Sequence, residues 1–282
     1  MMEKDVAAEK LVKLLSAILD HASPPWQPDV LPPLGHWLLF PPATRQSLLG
    51  DDGHPPHPHA DLPRRMWAGS RVRFFSPIPI GSAVRRETVM LRESEKMGRS
   101  GVMRFITLQH RLHVEDQIVL EEEQDLVYRQ AAFGPAGGPP QQQTRPASGA
   151  PAEPPAFTRQ LRLDSTVLFR FSALTFNAHR IHYDRDYALS EEGYQGLVVQ
   201  GPFLAMLLMD LYQRQNPQMR VCRFSFRALS PVFDQEQITL GLTSDSAGCD
   251  LLVLKEKGEI AMRARIDCGM SEAGTLQQYA TI

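Results

Sequence analysis

Nowhere in the 282 residues do roughly eighteen apolar side chains run together, so no stretch reads as a bilayer-spanning helix. Cysteine is scarce. Its three examples, Cys222, Cys249 and Cys268, lie in strand-like segments without CxxC spacing, which points to reduced thiols rather than to a disulfide framework or a zinc site. Charge of one sign is missing too: 30 Lys and Arg face 32 Asp and Glu, for a net charge of −2. No basic field exists to draw in nucleic acid or an anionic membrane, and neither is an expected partner. The opening residues, MMEKDVAAEKLVKLLSAILD, carry charge at their head and lack the apolar core and cleavage site of a signal peptide. A cytoplasmic location is the expectation. With 43% hydrophobic and 22% charged residues, the chain is otherwise ordinary globular material.

From Gly134 to Pro155 the sequence runs GPAGGPPQQQTRPASGAPAEPP, with no large apolar residue and no periodicity. Such a segment cannot repay its own ordering entropy and reads as a linker. It separates an N-terminal half, residues 1–133, from a C-terminal half, residues 156–282. The halves share a pattern. Arg73-Phe-Phe-Ser-Pro77 and Arg227-Ala-Leu-Ser-Pro231 each precede a short turn and an alternating strand. Two further strand-like runs follow each, Val102–Val114 with Gln117–Tyr128 and Asp250–Glu256 with Glu259–Cys268. Gly98, Gly101, Gly248 and Gly258 supply hairpin turns between them. Val102, Arg104, Ile106 and Leu108 alternate with Met103, Phe105, Thr107 and Gln109, as in a half-buried antiparallel strand.

Helical signals accompany each set of strands. Val6, Leu11, Leu14, Leu15 and Ile18 fall near one face, and Gly201-Pro202 opens the run FLAMLLMDLYQ. Proline suits the first helical position, where its missing N–H costs nothing. A helix apolar nearly all round should be buried, wrapped by strands. The fold class is therefore α+β: a helix with an antiparallel meander, occurring twice.

The stretch FSALTFNAHRIHYDRDYA, Phe171–Ala188, followed by GYQGLVVQGPFLAML, carries a resemblance. It is similar to the signature of the R-specific enoyl-CoA hydratases and MaoC-like dehydratases, and the resemblance implies a double hotdog fold. Aligned on the last histidine, the family's catalytic His falls on His182 and its acidic position on Asp184. Its glycine falls on Phe176, its catalytic Asp on Asn177, its Asn on His179 and its Pro on Arg180. The second family element, ending in His-Gly, is represented by Val199-Gln200-Gly201. The FNxHRIHYD variant resembles one branch, the bacterial mesaconyl-C4-CoA and itaconyl-CoA hydratases and the mitochondrial type 2 hydroxyacyl-thioester dehydratases. LPPLGHWLLFPP (Leu31–Pro42) and LPRRMWAGSRVRFFSPI (Leu62–Ile78) support that branch from the N-terminal half.

Hydration of an enoyl thioester needs a positioned water, a proton carrier, and donors for the oxygen that becomes enolate-like. His182 suits the second task. Asn177 cannot accept a proton but can hold the water or pin the imidazole, or it can simply form a turn. His179 is a candidate second proton carrier, three residues away on a helical turn. The N–H of Gly201, at a helix head, suits the developing oxyanion. The branch's substrates carry a free carboxylate, for which Arg180 is the first candidate and Arg64 and Arg65 the next. Arg64, Arg65 and Arg71 are candidates for CoA, which would make the N-terminal half a CoA-binding half with a degenerate site; as an alternative, Arg64 and Arg65 form a solvated pair. Tyr183 and Asp184 are placed beside the substrate, with Asp184 a partner for an arginine.

His54, His57 and His59 sit in a Pro-rich segment without a scaffold to converge them, so an exposed loop is expected and no metal. No cofactor is implied beyond the CoA of the substrate. The leading reading is a hydro-lyase that turns itaconyl-CoA or mesaconyl-C4-CoA into citramalyl-CoA. The alternatives are a 3-hydroxyacyl-thioester dehydratase of fatty-acid synthesis and a non-catalytic acyl-CoA-binding module. A small-molecule acyl-CoA is the expected partner, with homo-oligomers of the double-hotdog chain open.

Overall fold

The computed structural model describes residues 2–130 and 151–267, apart from positions 58, 60, 99, 100, 152 and 218. Most of the linker, and Cys268, therefore lie outside the described residues. The N-terminal half contributes β1 (Met2–Val6), α1 (Glu9–Ile18), β2 (Arg64–Phe74), β3 (Ala83–Gly98), β4 (Gly101–Val114) and β5 (Gln117–Arg129). The C-terminal half contributes β6 (Phe157–Arg162), α2 (Ser165–Thr175), α3 (Arg185–Ser190), α4 (Gly201–Gln215), β7 (Arg223–Ala228), β8 (Gln237–Ser244), β9 (Cys249–Lys255) and β10 (Ile260–Asp267). The strand-like runs expected from the sequence fall on β4, β5, β9 and β10, shifted by no more than a residue or two at either end.

All ten strands join one antiparallel sheet in the order β1-β3-β4-β5-β2-β7-β10-β9-β8-β6. Read outward from the β2–β7 seam, the order is the same on both sides, so each strand of one half has a counterpart in the other. The two Ser-Pro segments confirm the duplication in detail. The N–H groups of Phe75 and Ser76 both donate to the carbonyl of Val119, and those of Leu229 and Ser230 both donate to Ala261. The short sequence match thus marks one turn built twice.

The halves diverge where the central helix belongs. Leu31 N–H donates to Ile78 O and Ile80 N–H to Asp29 O, as Val199 donates to Val232 and Asp234 to Leu197. From that shared point the C-terminal half enters α4, whereas the N-terminal half makes only a 3-10 turn over Gly35–Leu38. Leu34, at φ 67° in the left-handed region, interrupts the run where α4 continues, because an α-helix cannot pass through that conformation. The expectation of a strand-wrapped helix in each half holds for α4 alone; α1 is the counterpart of α2 and packs against it.

Residues 203–213 of α4 are buried without exception. Each large apolar side chain there contributes on the order of 2 kcal/mol. Gln200 is the N-cap and Gly201 the first helical residue, so Pro202 occupies the second position rather than the first; its missing donor is harmless anywhere in the first turn. Asp210, buried in the middle of this apolar helix, is compensated by Arg159 at 2.9 Å, Arg214 at 2.8 Å and His21 at 2.6 Å. An unpaired charge there would be costly.

Burial along β4 does not alternate cleanly. Ile106, Thr107, Gln109 and His110 are all buried. One face of β4 and β5 carries Ile106, Leu126 and Tyr128 and is covered by Leu62. On the other, Thr107 lies under a lattice in which Arg71 holds Asp125 and Glu123.

Candidate functional site

The motif residues sit in the loop between α2 and α3, opposite the head of α4. Asp164 caps α2 by accepting from Val167 N–H, and the helix ends at Phe176 in the left-handed region, φ 52°. That conformation is natural for glycine, which is the residue the family signature has there. Asn177 then forms an Asx turn: its Oδ1 accepts from His179 N–H at 3.1 Å. This commits the side-chain oxygen to local structure and turns the amide nitrogen into the end that can serve a ligand.

His182 ends a 3-10 turn, and two hydrogen bonds tie that turn to the approach to α4. Val198 N–H donates to Ile181 O at 2.9 Å, and His182 Nδ1 donates to Val198 O at 2.7 Å. Fixing Nδ1 as the donor leaves Nε2 as the basic atom. Burial pushes the His182 imidazole down to about 4, against the Val198 carbonyl and with the charge of His54 adding to the fall. His179 lies edge-on to it, ring centroids 5.3 Å apart, rather than stacked on a shared helical face. Burial, helped by His54, His182 and Arg65, holds His179 well below the ordinary range. At neutral pH both rings are uncharged.

Gly201 opens α4, where the first-turn N–H groups have no intrahelical partner. A Cβ there would meet only the carbonyl oxygen of Trp67, at 3.7 Å. Trp67 belongs to β2, so the head of α4 abuts the N-terminal half. Gln200 is buried, its Nε2 donating to Leu168 O and Ser172 Oγ.

The four arginines are distinguished by their partners. Arg180 grips Asp184 through Nε at 3.0 Å and Nη2 at 2.8 Å, donates to Asp51 O, and lies over the Tyr187 ring. Asp184 also caps α3 by accepting from Tyr187 N–H. Arg64 is buried against Glu192, with Nε 2.9 Å from its carboxylate, which replaces the solvated pair that the sequence suggested. Arg71 is engaged by Glu123 and Asp125. Arg65 makes no ion pair among the described residues, and its charge reaches His179 and His57. Tyr183 donates to Ala178 O and is otherwise exposed.

What the sequence reading missed is the loop Gly50–His54 of the N-terminal half. It folds as a tight turn, Gly53 N–H donating to Gly50 O and Gly50 N–H to His54 O, and it is bonded to the motif by Arg180 N–H to Asp52 O at 2.9 Å. His54 packs on His179, ring centroids 4.0 Å apart, and its Nδ1 lies 2.9 Å from Asp52 Oδ2. Burial raises the Asp52 carboxyl, but hydrogen bonds from the His54 side chain and backbone outweigh it and leave the group below its ordinary value. The segment is not the exposed loop expected of it: His54 and His57 are half-buried and His59 is buried against Arg104 and Tyr128. Donor atoms of Asp52, His54 and His179 lie within 4.8 Å of one another, a set that could also hold a metal ion. Only the polar GDDGH composition hinted at a turn here; nothing hinted at its destination.

A duplicated antiparallel sheet around one buried helix, with a histidine loop at that helix's head, defines a double-hotdog protein. Residues 34–234 match the hydroxyacyl-thioester dehydratase type 2 family, more than half of the chain, and the protein belongs to that family. It is 40% identical over 272 residues to the mesaconyl-C(4)-CoA hydratase of Chloroflexus aurantiacus, covering 95% of this chain and 94% of that one. Among solved structures it resembles a MaoC-like dehydratase from Phytophthora capsici, TM-score 0.70 at 12% identity, with 96% of each chain covered. A Mycobacterium tuberculosis protein described as having a double hotdog fold aligns with TM-score 0.55 at 14% identity over 94% of each chain. No helix among the described residues is long and apolar enough to cross a membrane.

Proposed function

We propose that the protein is a hydro-lyase adding water to a branched five-carbon dicarboxylic enoyl-CoA, mesaconyl-C4-CoA or itaconyl-CoA, to give citramalyl-CoA. The observation that carries this reading is the 40% identity, across 95% of the chain, to a mesaconyl-C(4)-CoA hydratase. The geometry supports it. His182 Nε2 takes the proton of the attacking water, the Asn177 amide nitrogen helps hold that water, and the Gly201 N–H receives the thioester oxygen as negative charge develops there. Approach of an anionic substrate raises the proton affinity of a desolvated imidazole, so the low value in the free site does not disable His182 as a base.

With Arg180 and Arg64 committed to Asp184 and Glu192, Arg65 is the cation that meets the substrate's free carboxylate. His179 remains uncharged and walls the site. The reaction draws on no cofactor beyond the CoA of its substrate. The protein works in the cytoplasm, as single double-hotdog chains or assemblies of them.

The test is to incubate the purified protein with mesaconyl-C4-CoA, itaconyl-CoA and crotonyl-CoA and follow water addition by mass. Hydration of the dicarboxylic substrates, lost by roughly 10³-fold or more in His182→Ala, is the expected result. Arg65→Gln should raise KM for the carboxylated substrates and leave crotonyl-CoA unaffected. Preference for crotonyl-CoA would favour the straight-chain dehydratase that the family description suggests, and thioester binding without turnover would favour a binding module.

A further inference from the structure

We propose that the Asp52–His54 pair, delivered by the N-terminal half onto the motif of the C-terminal half, is the site's second acid–base unit and takes the part that Asn177 cannot play. This rests on the hydratase reading above. Addition of water across an enoyl thioester moves two protons: one leaves the attacking water and one arrives at the α-carbon. His182 Nε2 can receive the first. A second proton carrier is needed for the other, and the residues nearest to hand do not qualify.

Asn177 carries no titratable proton, and its oxygen is already committed to His179 N–H. Among the described residues no carboxylate is hydrogen-bonded to the His179 ring, which is buried beside two other imidazoles, an environment that opposes charge on it. His54 differs from both. Asp52 backs its Nδ1 at 2.9 Å, which orients the ring, fixes Nδ1 as a donor and leaves Nε2 as the atom for proton transfer. Its side chain is 16% exposed, so it can exchange that proton with solvent.

The placement is also specified by the backbone. Gly53 takes φ +85° with its Cα face against the carbonyl of Ala178, and Arg180 N–H holds Asp52 O. The turn is therefore locked to the catalytic loop itself. In the step, the water oxygen bonds to the β-carbon while His182 Nε2 takes its proton. The C=C electron pair passes to the thioester oxygen at Gly201. Collapse of the enolate then takes the proton from His54 Nε2 onto the α-carbon. The proton left on His182 and the one missing from His54 balance through solvent, so one water is added and nothing else is consumed.

Wild type, His54→Gln, Asp52→Asn and His182→Ala are compared with mesaconyl-C4-CoA, together with thermal unfolding and the metal content of each protein. His54→Gln should lower kcat by roughly 10²-fold or more with KM within about threefold. Asp52→Asn should fall between it and wild type. Added imidazole should restore part of the activity of His54→Ala, and that rescue should saturate. In D2O, exchange of the product's α-proton should slow in His54→Gln in step with kcat.

A folded His54→Gln with kcat within threefold of an active wild type would overturn the proposal and leave the hydratase reading standing. One zinc per chain, lost with His54 and needed for activity, would overturn it by making His54 a ligand. An inert wild type would instead refute the hydratase reading, and the proposal with it.

Discussion

Gly53 holds φ +85°, and a Cβ built there would lie 2.8 Å from the carbonyl carbon of Ala178 and closer still to its oxygen. Alanine can occupy the site only if the turn Gly50–His54 withdraws from Ala178 by more than ~1 Å, the distance needed to restore van der Waals contact. Two hydrogen bonds hold that turn, Arg180 N–H to Asp52 O and Arg180 Nη1 to Asp51 O. Losing them costs roughly 1 kcal/mol each, and the left-handed backbone adds about 1 kcal/mol for any residue with a Cβ. Gly53→Ala should therefore destabilise the protein by roughly 2–4 kcal/mol while leaving it folded, given typical domain stabilities. A misplacement of that size at reacting groups costs about 10²-fold in rate, so kcat should drop far more than a destabilised but folded enzyme would suggest.

Gly81→Ala is the control. Gly81 has φ +86° with nothing within 4 Å of a Cβ, so it carries the backbone strain without the clash. The assay is kcat for hydration beside the thermal unfolding midpoint of each variant. If Gly53→Ala keeps kcat within threefold of Gly81→Ala, the N-terminal turn is no part of the working site and the reasoning fails.

Two other outcomes follow from the same loop. His182 is held down to about 4 in the fold against about 6.5 unfolded, so between those values the folded state binds fewer protons. Its stabilisation is full above about pH 6.5 and is lost as pH falls toward 4, by about 3 kcal/mol; His182→Gln should reduce that part of the Tm–pH slope, leaving the slope contributed by His179, which is shifted in the same direction. Phe176 is 61% exposed with φ 52°, so Phe176→Gly should relieve strain and gain about 1 kcal/mol, roughly 2–4 °C in Tm. An unchanged or lower midpoint in differential scanning calorimetry would show that the Phe176 ring has packing the backbone argument ignores.

Much of this architecture is present in local sequence. Strand runs at a period of two, hairpin glycines, the repeated Ser-Pro turn and the all-round apolar helix after Gly201 are short-range signals, and each element forms where those signals lie. The motif around His182 was legible as a short pattern, and some of its hydrogen bonds close locally, such as His179 N–H to Asn177 Oδ1 and Asp184 N–H to Arg180 O; those to Val198 and Asp52 do not. Even the N-cap of α4 differed from expectation by one position only.

Pairing across the two halves was not legible. Whether an arginine is free or engaged depends on which carboxylate the fold brings to it: Asp184 is only four residues from Arg180, but Glu192 reaches Arg64 through the fold alone. A proline-rich stretch such as His54–His59 reads as solvent loop because composition reports intrinsic disorder, not the surface that happens to cover it. Asp52 and His54 lie more than a hundred residues before His179 and His182, with no shared period or spacing to join them. Sequence by itself determined the strands, the buried helix and the local turn that carries His179 and His182. Only the tertiary structure, by laying the N-terminal turn against Ala178, brought Asp52 and His54 against His179, because contacts between distant segments are set by packing and leave no local mark on either one.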